Sequence, residues 1–164
     1  EGLEGLQVII NNGDISIVSS DDGINSTATS GQGIVIDGGN LYILAGGDGL
    51  DSNSRTAYSG IVFKGGKTVV ISTSGGNSAI DTEAGYTYTS GSVLAIMPNG
   101  GMTSEATHCS NFSSVAKKIS MSLSSGKTLT VSVSNSAILS VKIPCNLSAI
   151  VIYLGSTSAN ISLN

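Results

Sequence analysis

Four runs in residues 1–105 alternate apolar side chains with others: Ile15/Ile17, Leu41/Ile43, Val69/Ile71 and Val93/Ala95. Each is opened by a glycine (Gly13, Gly39, Gly66, Gly91), at steps of 26, 27 and 25 residues. Apolar triplets precede three of them: Val8-Ile9-Ile10, Ile34-Val35-Ile36 and Ile61-Val62-Phe63. A short phrase keeps the same beat: Glu1-Gly2-Leu3-Glu4, Asp22-Gly23-Ile24-Asn25, Asp48-Gly49-Leu50-Asp51 and Ser78-Ala79-Ile80-Asp81. Its pattern is acid, small, aliphatic, then acid or amide, at steps of 21, 26 and 30 residues. Self-similarity at this period signals stacked units. Short alternating strands divided by Gly-Gly and Asn-Gly corners predict a parallel β-helix of about four coils, right-handed, with equivalent apolar positions piled into an inner column. The glycines supply the positive φ that tight corners need. A sandwich of short strands is the competing fold, but it has no need of one chemical phrase at the same point of each circuit.

The beat stops after Gly101. Met102–Ser114 reads as a loop, followed by alternating segments at Ile119–Leu123, Leu129–Val133, Ile138–Ile143, Ala149–Leu154 and Ile161–Leu163. Short Ser/Asn/Gly turns join them, which suits antiparallel strands. The chain is therefore read as an all-β protein with a β-helix at 1–105 and a C-terminal β region at 106–164 that closes or flanks it. A stack of coils must cover its open strand edges, and no cap is visible before the first coil.

Composition narrows the class. Charged residues are 11% against a usual ~25%, while Val, Ile and Thr abound, as in a folded β protein. All eleven acids lie at or before Glu105 with three bases, Arg55, Lys64 and Lys67; the remainder holds Lys117, Lys118, Lys127 and Lys142 and no acid. An acidic body and four scattered lysines argue against nucleic-acid binding. No apolar run is long enough to span a membrane, and no signal peptide is visible.

Cys109 and Cys145 are the only cysteines. In so polar a chain they suggest an exported protein with a Cys109–Cys145 disulfide, worth ~4 kcal/mol in the chain-entropy picture; two unpaired thiols are the alternative. Sequons at Asn25, Asn111, Asn146 and Asn160 are weak signals for glycans in a chain this rich in Asn and Ser.

The phrase carries the chemistry. Stacked in register, its first position forms the ladder Glu1/Asp22/Asp48/Ser78 and its fourth Glu4/Asn25/Asp51/Asp81, with rungs about 4.8 Å apart. Carboxylates that close repel by several kcal/mol at an effective dielectric of about 20, unless a cation sits between them. Oxygen-only donors suit Ca²⁺; a lone histidine, His108, and distant cysteines disfavour zinc. The metal candidates are Glu1, Glu4, Asp21, Asp22, Asn25, Asp48, Asp51 and Asp81, with Asn53 and Glu83 weaker. The competing reading makes these acids corner caps for backbone N–H groups.

Glu-Gly-Leu-Glu-Gly, Ser-Ser-Asp-Asp-Gly-Ile-Asn, Gly-Asp-Gly-Leu-Asp-Ser-Asn and Ala-Ile-Asp, with the Gly-Gly turns between, resemble a family of bacterial cell-surface carbohydrate-binding proteins. That family, formerly a domain of unknown function, was described from cellulolytic clostridia. The resemblance covers residues 1–105 and only loosely the tail. It implies a pectate-lyase-like right-handed β-helix with bound calcium and affinity for acidic pectic polysaccharide or cellulose. Asp22, Asp48, Asp51 and Asp81 carry over best as ligands; Ser78-Ala79 departs from the acid-Gly form.

Three functions follow. The first is an extracellular or cell-surface, non-catalytic module in which calcium bridges protein to polysaccharide and Tyr42, Tyr58, Tyr86 and Tyr88 offer stacking surfaces. The second is a homo-polymer, an acidic solenoid end meeting a basic tail head to tail. The third is a lyase, with calcium acidifying a proton and Arg55 as base, or else Lys64 or Lys67.

Overall fold

The computed structural model describes residues 1–164. Four circuits of three strands each make up the first part. The first holds β1 (Leu3–Gly5), β2 (Val8–Ile10) and β3 (Asp14–Ser19), and the second β4 (Ile24–Ser26), β5 (Ile34–Ile36) and β6 (Asn40–Ala45). The third holds β7 (Leu50–Ser52), β8 (Ile61–Phe63) and β9 (Lys67–Ser72), and the fourth β10 (Ile80–Thr82), β11 (Tyr86–Tyr88) and β12 (Ser92–Pro98). Equivalent strands pair in parallel, giving three sheets: β1-β4-β7-β10, β2-β5-β8-β11 and β3-β6-β9-β12. The chain is all β, and the expected solenoid of parallel stacked strands is present.

The phrase explains the first sheet. Its aliphatic position forms one register column, Leu3, Ile24, Leu50 and Ile80. The last three are fully buried, each worth ~1.5–3 kcal/mol relative to exposure. The glycine before it is a matter of space. A methyl on Gly23 would strike Ile43 Cγ2 and the Gly49 carbonyl oxygen, and one on Gly49 would strike Val70 Cγ2 and the Ala79 carbonyl oxygen. The fourth circuit lifts both constraints: no fifth circuit stacks beyond it, and the register partner of Val70 is the smaller Ala95. Ala79 fits there. The four marking glycines all have positive φ, 113°, 85°, 74° and 101° at Gly13, Gly39, Gly66 and Gly91.

The third sheet carries a correction. Register places Ile17, Ile43, Val70 and Ala95 in one column and Ile15, Leu41, Thr68 and Val93 in the next. In the third circuit, therefore, Thr68 and Val70 face inward, not Val69 and Ile71. A slip of one residue exchanges the two faces of a strand, and here both faces are apolar because both are covered. Val70, Val93 and Ala95 belong to the core inside the solenoid. Val69, Ile71, Leu94 and Ile96 belong to a second core outside it.

The tail builds that second core. After a 3-10 turn (Glu105–Thr107) and a short helix, α1 (Phe112–Val115), come β13 (Ala116–Leu123), β14 (Thr128–Val133), β15 (Ser136–Lys142), β16 (Leu147–Leu154) and β17 (Asn160–Leu163). β16 pairs antiparallel with β12, and β13 with β16, extending the third sheet. β14, β15 and β17 form a separate antiparallel sheet, ordered β15-β14-β17. Its Leu129, Val131, Leu139 and Val141 pack on the outward residues of β9, β12 and β16. The region from 102 to 114, expected to be a plain loop, thus contains two short helical turns.

The two ends of the stack differ. Beyond β11, Tyr86 bridges to Cys109, its N–H donating to the His108 carbonyl at 3.0 Å. β12 is covered by β16, and the 3-10 turn lies against β10. At the first circuit, Leu3, Leu6, Ile9 and Val18 are 40%, 74%, 51% and 71% exposed.

The expected Cys109–Cys145 disulfide does not form; both thiols are free. Cys109 sits in the inner core, its Sγ donating to Asn111 Oδ1 at 3.2 Å. Cys145 lies outside the third sheet, beside Val18 and Leu44. The sheet stands between them.

Candidate functional site

The acids of the phrase line one corner and the adjoining outer face of the first sheet. At the first position, each carboxylate reaches across to the next circuit. Glu1 Oε2 accepts from the Asp22 N–H at 3.1 Å, Asp22 Oδ1 from Asp48 N–H at 2.8 Å, and Asp48 Oδ1 from Ser78 N–H at 2.5 Å. The corner-capping reading therefore applies to this ladder, with one modification: the caps join neighbouring circuits instead of closing a turn within one. Such charge-assisted bonds are stronger than neutral ones. The departure at Ser78 now has a physical account, because the last rung is the receiving end and needs only its N–H.

The fourth phrase position is different. Glu4, Asn25, Asp51 and Asp81 are register partners on β1, β4, β7 and β10 and point outward, opposite the buried column. The Asn25 Oδ1 atom is buried and has no hydrogen-bond donor. An acceptor in that state costs ~1–3 kcal/mol. Its register neighbours are Glu4 and Asp51, which when ionised offer it only more acceptors.

Electrostatics ties the two ladders together. Burial first, then the charges of Asp81, Asp22, Asp48 and Glu1, pushes the Asp51 carboxyl up to about 7. Asp48 is pushed up to about 6 by burial, against the pull of the Ser78 N–H, with Asp81, Asp22 and Asp21 adding to the rise. Burial also raises Asp22 and Asp81, the latter helped by Glu105 and Glu83. No lysine or arginine answers these charges; the one salt bridge, Lys64–Asp37 at 3.3 Å, lies elsewhere.

Of the eight metal candidates, Glu1, Asp21 and Asp22 bring carboxylate oxygens within 4.8 Å of one another. Glu4, Asn25, Asp51 and Asp81 share the register ladder, and Asp48 continues the first-position ladder from Asp22 to Ser78. All donors are hard oxygens, and an orphaned amide oxygen among raised carboxyls is the environment a calcium ion completes. All eight fit such an ion in donor chemistry, and Glu1, Asp21 and Asp22 alone bring three carboxylates within 4.8 Å. Of the weaker candidates, Asn53 turns away: its Nδ2 donates to the Ser26 carbonyl at 3.3 Å. Glu83 adds charge near Asp81. Glu105 does too, and sequence reasoning missed it; it stands outside the repeat, and only the capping turn over β10 brings it there.

The tyrosines divide. Tyr86 is fully buried, donating to the Ala106 carbonyl at 2.8 Å and meeting Phe63 edge-on, and buried Tyr88 donates to the Gly91 carbonyl at 2.7 Å. Neither is a stacking surface. Tyr58 is exposed beside His108 with φ 55°, and Tyr42 lies half-buried on the outer face of β6. Arg55 is exposed and forms no ion pair with the acids.

No curated protein and no solved structure matches the chain. A family model does so over residues 4–160, both cores included, and its description is carbohydrate-binding domain-containing protein. By that match the chain belongs to this family of carbohydrate-binding domains.

Proposed function

We propose that the chain is a non-catalytic module of the cell surface or extracellular space that binds acidic or cellulosic polysaccharide with the help of Ca²⁺ at the acid ladders. The observation that carries this reading is the buried, donorless Asn25 Oδ1 between Glu4 and Asp51. Glu4, Asn25, Asp51 and Asp81 would hold one part of the ion complement and Glu1, Asp21 and Asp22 another, with Asp48 on the rung after Asp22. Bound calcium supplies positive charge that offsets the carboxylates and has coordination positions to share with a uronate carboxylate. Around it the chain itself gives a rigid platform. The ladder residues ride on strands whose inward neighbours Ile24, Leu50 and Ile80 are fully buried, which limits how far the carboxylates can drift apart. Retention on polygalacturonate beads tests the reading: the protein should be held in calcium and released by chelator. Equal retention with chelator contradicts calcium dependence.

A second reading, assembly of copies into a filament with calcium at the joint, draws on the exposed Leu3, Leu6, Ile9 and Val18 at the first circuit. The solenoid's far end is covered, so such a contact would use the edge strand β13 of the extended sheet. Electron microscopy with and without calcium separates filaments from single modules. Lyase chemistry has less behind it: Arg55 forms no ion pair with the ladder carboxylates, and release of unsaturated products from pectate would be its signature.

A further inference from the structure

The third sheet's outer face is only partly roofed by the β15-β14-β17 sheet. Val69, Ile71, Leu94 and Ile96 lie beneath that roof, but the outward residues of β3 and β6 emerge from under it. Two hollows follow along these strands. The first, about 370 Å³, has Ser16 and Tyr42 in its floor and Leu139–Val141 of β15 as its wall. The second, about 420 Å³, has Val18 and Leu44 in its floor and Pro144–Cys145 as its wall. Ser16 and Val18 are successive outward positions of β3, as Tyr42 and Leu44 are of β6. The two walls are likewise close in the chain. The hollows therefore form one trough along strands ~20 Å long.

Its chemistry differs at its two ends. At the start of the strands, Asp14, Asn40 and Lys67 stand in register, the Asn40 amide donating to Asp14 Oδ1 at 2.6 Å. Lys67 is exposed and has no carboxylate partner. At the other end the trough passes Ser19 and Gly46 and meets the acid corner: Asp21 and Asp22 carboxylate oxygens lie against Gly47. Its wall is the edge strand of a sheet, with backbone N–H and C=O groups unpaired on that side. An apolar floor with one ring, a polar rim and free backbone groups is the composition of a small-molecule or glycan seat.

We propose that this trough is where a uronic-acid polysaccharide lies, its sugar faces on Tyr42 and Leu44, one carboxylate at Lys67 and the chain continuing toward the acid corner. The assignment rests on the calcium-dependent reading above and gives the chain its course over the surface. Tyr42 supplies a flat amphipathic surface, and its hydroxyl is left without a protein partner. The Asp14–Asn40 pair offers adjacent acceptor and donor atoms to vicinal sugar hydroxyls. Lys67 supplies the one unpaired cation on the path, which selects an acidic chain over a neutral one.

The test uses the whole chain in calcium with polygalacturonate as the probe, affinity read by titration calorimetry, and two variants at exposed positions. Ser16→Trp fills the trough from its floor, and Lys67→Gln removes the cation. Each should weaken binding at least roughly tenfold, the size of one lost charge-assisted contact, while the calcium-induced rise in melting temperature stays that of the parent. Parent-like affinity in both variants, with the parent itself binding, overturns the trough and leaves the calcium reading intact. Loss in Ser16→Trp alone, with Lys67→Gln unaffected, keeps the trough and overturns the part given to Lys67 in selecting an acidic chain. A parent that binds no polygalacturonate at all overturns both readings together.

Discussion

Asn25 and Asp51 are register partners on β4 and β7, and their side chains form a mismatched pair: the amide oxygen of one is buried without a donor, while the carboxyl of the other is pushed up to about 7. Once Asp51 is ionised, two acceptors stacked about 4.8 Å apart raise each other's energy, and the neighbouring rungs Glu4 and Asp81 add further carboxylates. The arrangement is costly alone, and the proposed cation would relieve it.

This pair leads to a pH prediction for the calcium-free protein. Asp48 and Asp51 hold protons in the folded state up to about 6 and about 7, whereas the unfolded chain gives them up near 3.9. The folded state thus binds more protons between those limits, and stability falls as pH rises. In chelator, the melting temperature should be highest near pH 4 and decline until about pH 7. Calcium should reduce that decline. Melting curves across this range check it, and a chelated protein that gains stability from pH 4 to 7 would count against the raised carboxyls.

Thr68 gives a prediction of opposite sign. It occupies the inner column between Leu41 and Val93, and its Oγ1 is buried without a partner. Thr68→Val keeps the shape and removes the unpaired hydroxyl, so it should stabilise by ~1–2 kcal/mol. Urea unfolding measures this, and a destabilised variant would mean the hydroxyl has a partner.

Spacing at the phrase glycines is testable by one methyl. Gly49→Ala drives into Val70 Cγ2 and the Ala79 carbonyl and should cost ~1–3 kcal/mol. Gly75→Ala, where a methyl meets nothing within 4 Å, should change stability by less than ~0.5 kcal/mol. Equal unfolding midpoints for the two variants would contradict the close stacking of circuits.

The thiols should behave as two separate groups. Burial raises the Cys109 thiol and slows its reaction, while Cys145 is only half-buried. Alkylation followed by mass spectrometry should find Cys145 modified first and both modified after unfolding without reductant. A protein that needs reductant before either reacts would restore the disulfide.

How much of this could be read from the chain depends on whether a residue's neighbours repeat. Ile24, Leu50 and Ile80 were legible as a buried column because the same phrase surrounds each of them, and the marking glycines because only a positive φ demands them so regularly. The Val69-Val70-Ile71 run was misassigned by one position, since a strand covered on both faces loses the alternation that sets its register. Counting two residues from Gly66, as from the other three glycines, would have placed Thr68 and Val70 inward. β16 had the same property: Ile150, Ile152 and Leu154 face the inner core and Val151 and Tyr153 the outer one. Its continuous apolar run was the available sign that it joins the middle of a sheet. The acid ladders were legible as spacing. The burial that raises Asp51 and isolates Asn25 Oδ1 was not, because it depends on packing between circuits, and the trough depends on where the tail's sheet stops, which no local pattern records.

Calorimetric melting of the parent and of Asn25→Ala and Asp51→Asn, each with chelator and with calcium, tests the central claim most directly, because an ion bound only by the folded state must raise its melting temperature. The account predicts a clear rise for the parent with calcium and a much smaller one for both variants, with Asp51→Asn the more stable of the three in chelator. An unchanged melting temperature in the parent, or a calcium response of parental size in both variants, would contradict it.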